Sequence, residues 1–214
     1  MYVGRIVSVG KNKAGQLCVM YRVSSNSFPN REARVMENAV AIMPKAGFED
    51  DINKSPYIAY NCARLCGDIA ILSNGTQTDH LANKIDAGQS MMDATTLVLH
   101  GMDYEHDHLN TPRISAMVDR KTGKGVLGIV RHDALLVKEF ELEAGQAFYV
   151  ATYNHNSPGD YVDSDFDVAD AAEACEYIIG KGVFADLERP ITAACAVDKG
   201  DEWDVAIMDA PPAE

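Results

Sequence analysis

The chain has 214 residues, of which 47% are hydrophobic and 24% charged, and its net charge is −13. That is enough apolar material for a sizeable core in one domain, and we expect residues 1–214 to form a single domain. The acidic balance argues against a nucleic-acid or anionic-membrane surface, both of which need clustered Lys and Arg, and no apolar run is long enough to cross a bilayer.

The pattern opens with two β-branched runs, Tyr2 to Val9 and Leu17 to Ser24, joined by the hairpin-like link Lys11 to Gly15. Ala33 to Met43 reads as one or two further strands ending at Pro44, Gly47 to Ser55 as an exposed connection, and Tyr57 to Cys66 and Asp68 to Ser73 as a strand pair about Gly67. A helix is expected from Thr78 or Asp79, both good N-cap residues, and a second from Gln89 to Leu99 with Met91, Met92, Thr95, Val98 and Leu99 inward. Strands return at Arg113 to Val118, Gly125 to Arg131, Ala134 to Leu142 and Ala147 to Tyr153. An amphipathic helix over Val168 to Ile179, capped by Asp165 or Asp167, should bury Val168, Ala172, Cys175 and Ile179. Thr192 to Val197 and Trp203 to Met208 close the pattern as strands before a Pro-rich tail. Paired strands with helices in separate blocks indicate an α+β fold in which helices cover sheet faces.

Five scattered cysteines, an odd number mostly inside apolar runs, read as reduced thiols of a cytoplasmic protein. Cys62 and Cys66 lack a second pair at zinc-ligand spacing, and Asp103 to His108 reads as a solvated connection, so no metal is expected. The N-terminus has no basic start followed by an apolar block, so no signal peptide is expected. A nucleoside-triphosphate loop, a dinucleotide fingerprint and a nucleophile elbow are all missing; no cofactor is expected.

Chemistry concentrates in five patches. Tyr21-Arg22-Val23-Ser24-Ser25-Asn26-Ser27-Phe28-Pro29-Asn30-Arg31 brings two guanidinium forks and several hydroxyls to a strand end, which suits a phosphate. On Tyr60-Asn61-Cys62-Ala63-Arg64, strand alternation would place Tyr60, Cys62 and Arg64 on one face and Asn61 on the other. Ser73-Asn74-Gly75 leads into a helix N-terminus, where backbone donors can hold an anion. Asp103-Tyr104-Glu105 lies in the densest titratable group, and Asn110-Thr111-Pro112-Arg113-Ile114 follows it. Thr152-Tyr153-Asn154-His155 ends a strand, and His155 is a further candidate for a substrate hydrogen bond.

In this order, from Met1-Tyr2-Val3-Gly4-Arg5 to Thr152-Tyr153-Asn154, these motifs resemble the archaeal-type IMP cyclohydrolase family. The resemblance implies a four-layer αββα sandwich like that of the N-terminal-nucleophile hydrolases. It also implies closure of 5-formamidoimidazole-4-carboxamide ribonucleotide to inosine monophosphate, by a homo-oligomer such as a tetramer. Met1 is followed by bulky Tyr2, so methionine removal would expose no Cys, Ser or Thr, and the nucleophile is expected to belong to the substrate. Arg22, Ser24, Ser27, Asn30 and Arg31 are then expected at the phosphate and ribose. Tyr60, Asn61 and Arg64 are expected at the base and oxyanion, and Tyr104 and Glu105, supported by Asp103, at the proton transfers; Asn74 and Arg113 are further site members. The same residues also fit a non-catalytic purine-nucleotide sensor.

Overall fold

The structure, a computed structural model, describes residues 1–211; the expected tail beyond them lies outside the described residues. The first hairpin joins β1 (Ile6–Lys11) to β2 (Leu17–Ser24) through a turn in which Gly15 takes φ +87°, a conformation open to glycine at little cost. β3 (Arg31–Val35), β4 (Ala39–Pro44), β5 (Tyr60–Cys66) and β6 (Ile69–Ser73) follow, with an exposed 3₁₀ turn at Glu49–Asn53 before β5. Two helices come next, α1 (Gln77–Asp86) and α2 (Met91–Met102). Then come β7 (Arg113–Asp119), β8 (Lys124–Arg131), β9 (Ala134–Glu141), β10 (Gln146–Ala151) and the short β11 (Val162–Asp163). The last elements are α3 (Ala171–Gly180), β12 (Pro190–Asp198) and β13 (Trp203–Asp209).

All strand pairs are antiparallel and build two sheets, ordered β11-β10-β1-β2-β12-β13 and β3-β4-β5-β6-β7-β8-β9. Their facing surfaces share one core, including Val7, Val19, Val23, Leu72, Ile114 and Ile129, all 0% exposed. Each such side chain contributes about 1.5–3 kcal/mol. The outer face of the first sheet is covered by α3 through Cys18, Met20, Cys175 and Ile178. That of the second is covered by α1 and α2 through Ile71, Leu81, Val98 and Met117. The molecule is therefore an α+β sandwich with helices on both outer faces. Gly128 on β8 lets α2 approach, since a Cβ there would stand 2.3 Å from Thr95 Cγ2.

Several local expectations are corrected. The cap of α3 is Asp170, which accepts from Glu173 N, and the buried face is Ala171, Ala174, Cys175, Ile178 and Ile179, with Ala172 exposed. Helix α1 starts before Thr78, whose hydroxyl donates to Gly75 O within the first turn, and the Asp79 carboxylate serves Asn61 and Arg64 instead of capping. The cysteines are all free, four of them buried.

Candidate active site

At one end of the sandwich four connections, the N-terminal arm and the start of β3 converge on a cleft of about 470 Å³ including its open mouth. The N-terminal arm contributes Tyr2 and Arg5, the β2–β3 loop Ser25, Ser27 and Phe28, and the start of β3 Arg31. The segment before β5 contributes Ser55, Tyr57 and Ile58, the loop after α2 contributes Glu105, Asp107 and Thr111, and Tyr153 follows β10.

Arg5 owes its position to Gly4, which has φ +73° and sits so close to the end of β10 that a Cβ would meet Thr152 Oγ1 at 2.1 Å. Arg5 N then donates to that hydroxyl at 3.1 Å. The guanidinium reaches Glu105, with Nη2 to Oε2 at 3.2 Å, and the two side chains are 13% and 2% exposed. Arg113 stands on the other side of the carboxylate, its Nη1 3.9 Å from Glu105 Oε1. Among the described residues Glu105 Oε1 and Arg5 Nε are buried without a hydrogen-bond partner.

Burial pushes the Glu105 carboxyl above its usual range, and Arg5, Arg113 and Arg31 pull the other way without cancelling it. For Arg5, burial opposes the charge, but Glu105, Tyr60, Tyr21 and Tyr153 outweigh it and raise its pKa. The loop that carries Glu105 is pinned by its own side chains. Asp107 accepts from Leu109 N, Thr111 N and Thr111 Oγ1, Thr111 Oγ1 shares a 2.8 Å bond with Tyr153 OH, and Glu105 N donates to Thr111 O.

Of the residues expected from the sequence, Ser27, Arg31 and Glu105 line this cleft. Arg31 is fixed by its Nε bond to Phe28 O. Tyr60 and Arg113 stand directly behind it: Tyr60 feels the charges of Arg5 and Arg31, and Arg113 lies 5.7 Å from the Tyr57 ring centroid.

Others fall elsewhere. Arg22 faces α3, not the cleft, because along β2 the odd positions Leu17, Val19, Tyr21 and Val23 point between the sheets and the even ones point outward. Its guanidinium donates to the carbonyls of Ile178, Ile179, Leu187 and Glu188, and its Nε to Ser24 Oγ, so it closes the C-terminal end of α3 and occupies Ser24 as well. Arg22→Ala is expected to cost about 3 kcal/mol or more of stability, by leaving buried carbonyls unpaired, without changing nucleotide affinity. Denaturant unfolding with a parallel titration checks both halves.

Asn61 and Arg64 also face outward, where both hold Asp79 of α1. The register of β4 against β5 shifts between Val40 and Ala41, so Cys62 is an extra residue and simple alternation fails there. Asp103 takes φ 57° and lends its carbonyl to Arg113 Nε, while Tyr104 packs on His106 with ring centroids 4.3 Å apart, and neither is among the cleft lining. Asn74 is a brace, accepting from Ile114 N and Gln77 Nε2 and donating to Pro112 O. The Asn30 carbonyl accepts from Lys45 N, and the Asn30 side chain is not among the cleft lining. His155 bonds Tyr149 OH and stacks on Tyr161 beyond the cleft.

The sequence reading did not assign Arg5, Tyr21, Ser25, Tyr57, Asp107, Thr111 or Tyr153 to the site. The sequence reading runs its first strand from Tyr2, which hides Arg5; the structure starts β1 at Ile6 and leaves Gly4 and Arg5 in the arm before it.

A family described as IMP cyclohydrolase-like protein matches residues 2–202. An IMP cyclohydrolase of Methanosphaera stadtmanae is 46% identical over 205 residues, covering 96% of this chain and 98% of that one. The chain belongs to the IMP cyclohydrolase family. Other relatives carrying the name IMP cyclohydrolase include one from Methanocella arvoryzae, 42% identical over 99% of this chain and 100% of its own, and one from Methanocaldococcus jannaschii, 40% identical over 96% and 98%. The match of this IMP cyclohydrolase-family chain runs through every segment that lines the cleft, from the arm bearing Arg5 to the strand end bearing Tyr153.

Proposed function

We propose that this chain is an IMP cyclohydrolase of purine biosynthesis, closing 5-formamidoimidazole-4-carboxamide ribonucleotide to inosine monophosphate with release of water. The observation that carries the site is the buried carboxylate Glu105 held between Arg5 and Arg113 in the same cleft that Arg31 lines, at the end of the sandwich. Arg31 with Ser25 and Ser27 takes the 5′-phosphate near the mouth. The imidazole then lies inward, with its carboxamide and formamide arms pressed together, and this pose supplies much of the acceleration.

The carboxamide nitrogen attacks the formyl carbon. A C–N bond forms, the formyl C=O pair moves to oxygen, and the nitrogen releases a proton to Glu105. Tyr60 donates to the developing oxyanion, aided by the positive charge of Arg5. Glu105 passes this proton to the oxyanion, giving a hydroxyl. It then carries the N–H proton of the former formamide nitrogen to that hydroxyl, which leaves as water as the C=N bond forms to that nitrogen. A carboxyl raised by burial but still countered by arginine suits a group that must both take and give a proton.

The same reading treats residues 1–214 as one domain and likens the sandwich to the N-terminal-nucleophile hydrolases, with which its layer order agrees. It also takes the working form to be a cytoplasmic homo-oligomer. Purified protein mixed with the formamido ribonucleotide should convert it to inosine monophosphate, seen as the ultraviolet change of ring closure. Tight binding of inosine monophosphate with no turnover would instead establish a nucleotide sensor.

A further inference from the structure

Tyr21 on β2 and Tyr60 on β5 meet inside the inter-sheet core with their hydroxyl oxygens 2.6 Å apart. They are 0% and 6% exposed. Each hydroxyl has one proton and two lone pairs, so only one of them donates in this bond. Tyr21 is flanked on its own sheet by Val7 and Ala194, and Tyr60 is the one hydrogen-bond partner of its hydroxyl among the described residues. Tyr21 is likewise the one partner of the Tyr60 hydroxyl among the described residues, so one of the two protons is left over whichever way the bond runs. It is better left on Tyr60, the less enclosed of the two, than on Tyr21, sealed in the core. Tyr21 therefore donates, and the Tyr60 proton turns elsewhere. Arg5 and Arg31, which line the cleft, act on both hydroxyls, and Arg5 is affected more by Tyr60 than by Tyr21. A guanidinium has no acceptor, so neither can receive that proton.

We propose that Tyr21 is a positioning residue: by donating to Tyr60 it directs the Tyr60 proton into the cleft, onto the formyl oxygen as negative charge develops there. The role rests on the cyclohydrolase reading above. The proton affinities have the same polarity. Burial raises both tyrosines, and beyond that the shared bond raises Tyr21 further and lowers Tyr60.

The test compares Tyr21→Phe, Tyr60→Phe and the double variant in the ring-closure assay, with thermal unfolding alongside. Tyr21→Phe should lower kcat about tenfold, the value of one hydrogen bond, with KM within about twofold. Tyr60→Phe should lose more, and the double variant no more than Tyr60→Phe, because Tyr21 acts only through Tyr60. Wild-type kcat in Tyr21→Phe, or losses that add in the double variant, would overturn the proposal. If Tyr21→Phe does not fold, neutron diffraction of the wild type decides. A deuteron on Tyr21 pointing at Tyr60 is expected, and one on Tyr60 pointing at Tyr21 would overturn it. Absence of turnover in the wild type sinks the cyclohydrolase reading, and with it the catalytic role given to Tyr21, whereas the neutron map tests the bond's direction alone.

Discussion

Glu105→Gln is expected to lower kcat for ring closure by about a hundredfold to ten-thousandfold, the range of a lost acid–base group, while KM for the nucleotide changes little. The amide keeps the volume of the carboxyl in a site where Glu105 is 1% exposed, but it cannot take the carboxamide proton. The pH dependence makes the assignment specific. Burial holds the Glu105 pKa above its ordinary value of 4.5, and the base works only when ionised. Wild-type kcat should therefore fall as pH drops through a limb lying above the usual carboxylate range, and that limb should vanish in Glu105→Gln. Because the variant leaves Arg5 without its counter-ion, unfolding must be followed in parallel. Turnover near wild type with the limb intact would remove Glu105 from the proton transfers.

Arg31→Ala is expected to weaken binding of 5′-phosphorylated ligands by about a hundredfold, the loss of one or two charge-assisted hydrogen bonds at about 1.5–3 kcal/mol each. Binding of the corresponding nucleosides should barely change. Arg31 is 3% exposed and its Nε is committed to the Phe28 carbonyl, which leaves the terminal nitrogens to face the cleft as a preset fork. Titration of inosine monophosphate and inosine against both proteins separates the phosphate contribution from the rest. Equal losses for both ligands would contradict the phosphate assignment.

Strand positions were the most legible part of the sequence. Leu17–Ser24 was read to the residue, and the hairpins about Gly15 and Gly67 follow from turn chemistry that acts over four or five residues. The face each strand presents was harder. Arg22 and Arg31 are close in sequence and share a chemistry, yet Arg22 still belongs to β2, where period two sends it toward α3 once Tyr21 points inward. Nothing in an isolated run of buried residues, all eight of β2, says which side is which. At β5 the bulge at Cys62 reversed the alternation that would have put Arg64 beside Tyr60. Arg5 was hidden for a different reason: its partner Glu105 lies 100 residues away, and tertiary packing, of Gly4 against Thr152 and of the Glu105 loop against Tyr153, brings the two together. The helix caps failed by a few residues, since several acidic side chains near Asp170 compete for the role and tertiary contacts choose among them.

A crystal structure of the protein bound to inosine monophosphate tests the central claim most directly. The account requires the phosphate against Arg31, Ser25 and Ser27, with the purine ring directed toward Glu105 and Tyr60. A nucleotide seated in the groove between Val40 and Val205, or beside Asn12 and Glu173, with Arg31 and Glu105 untouched, would contradict it.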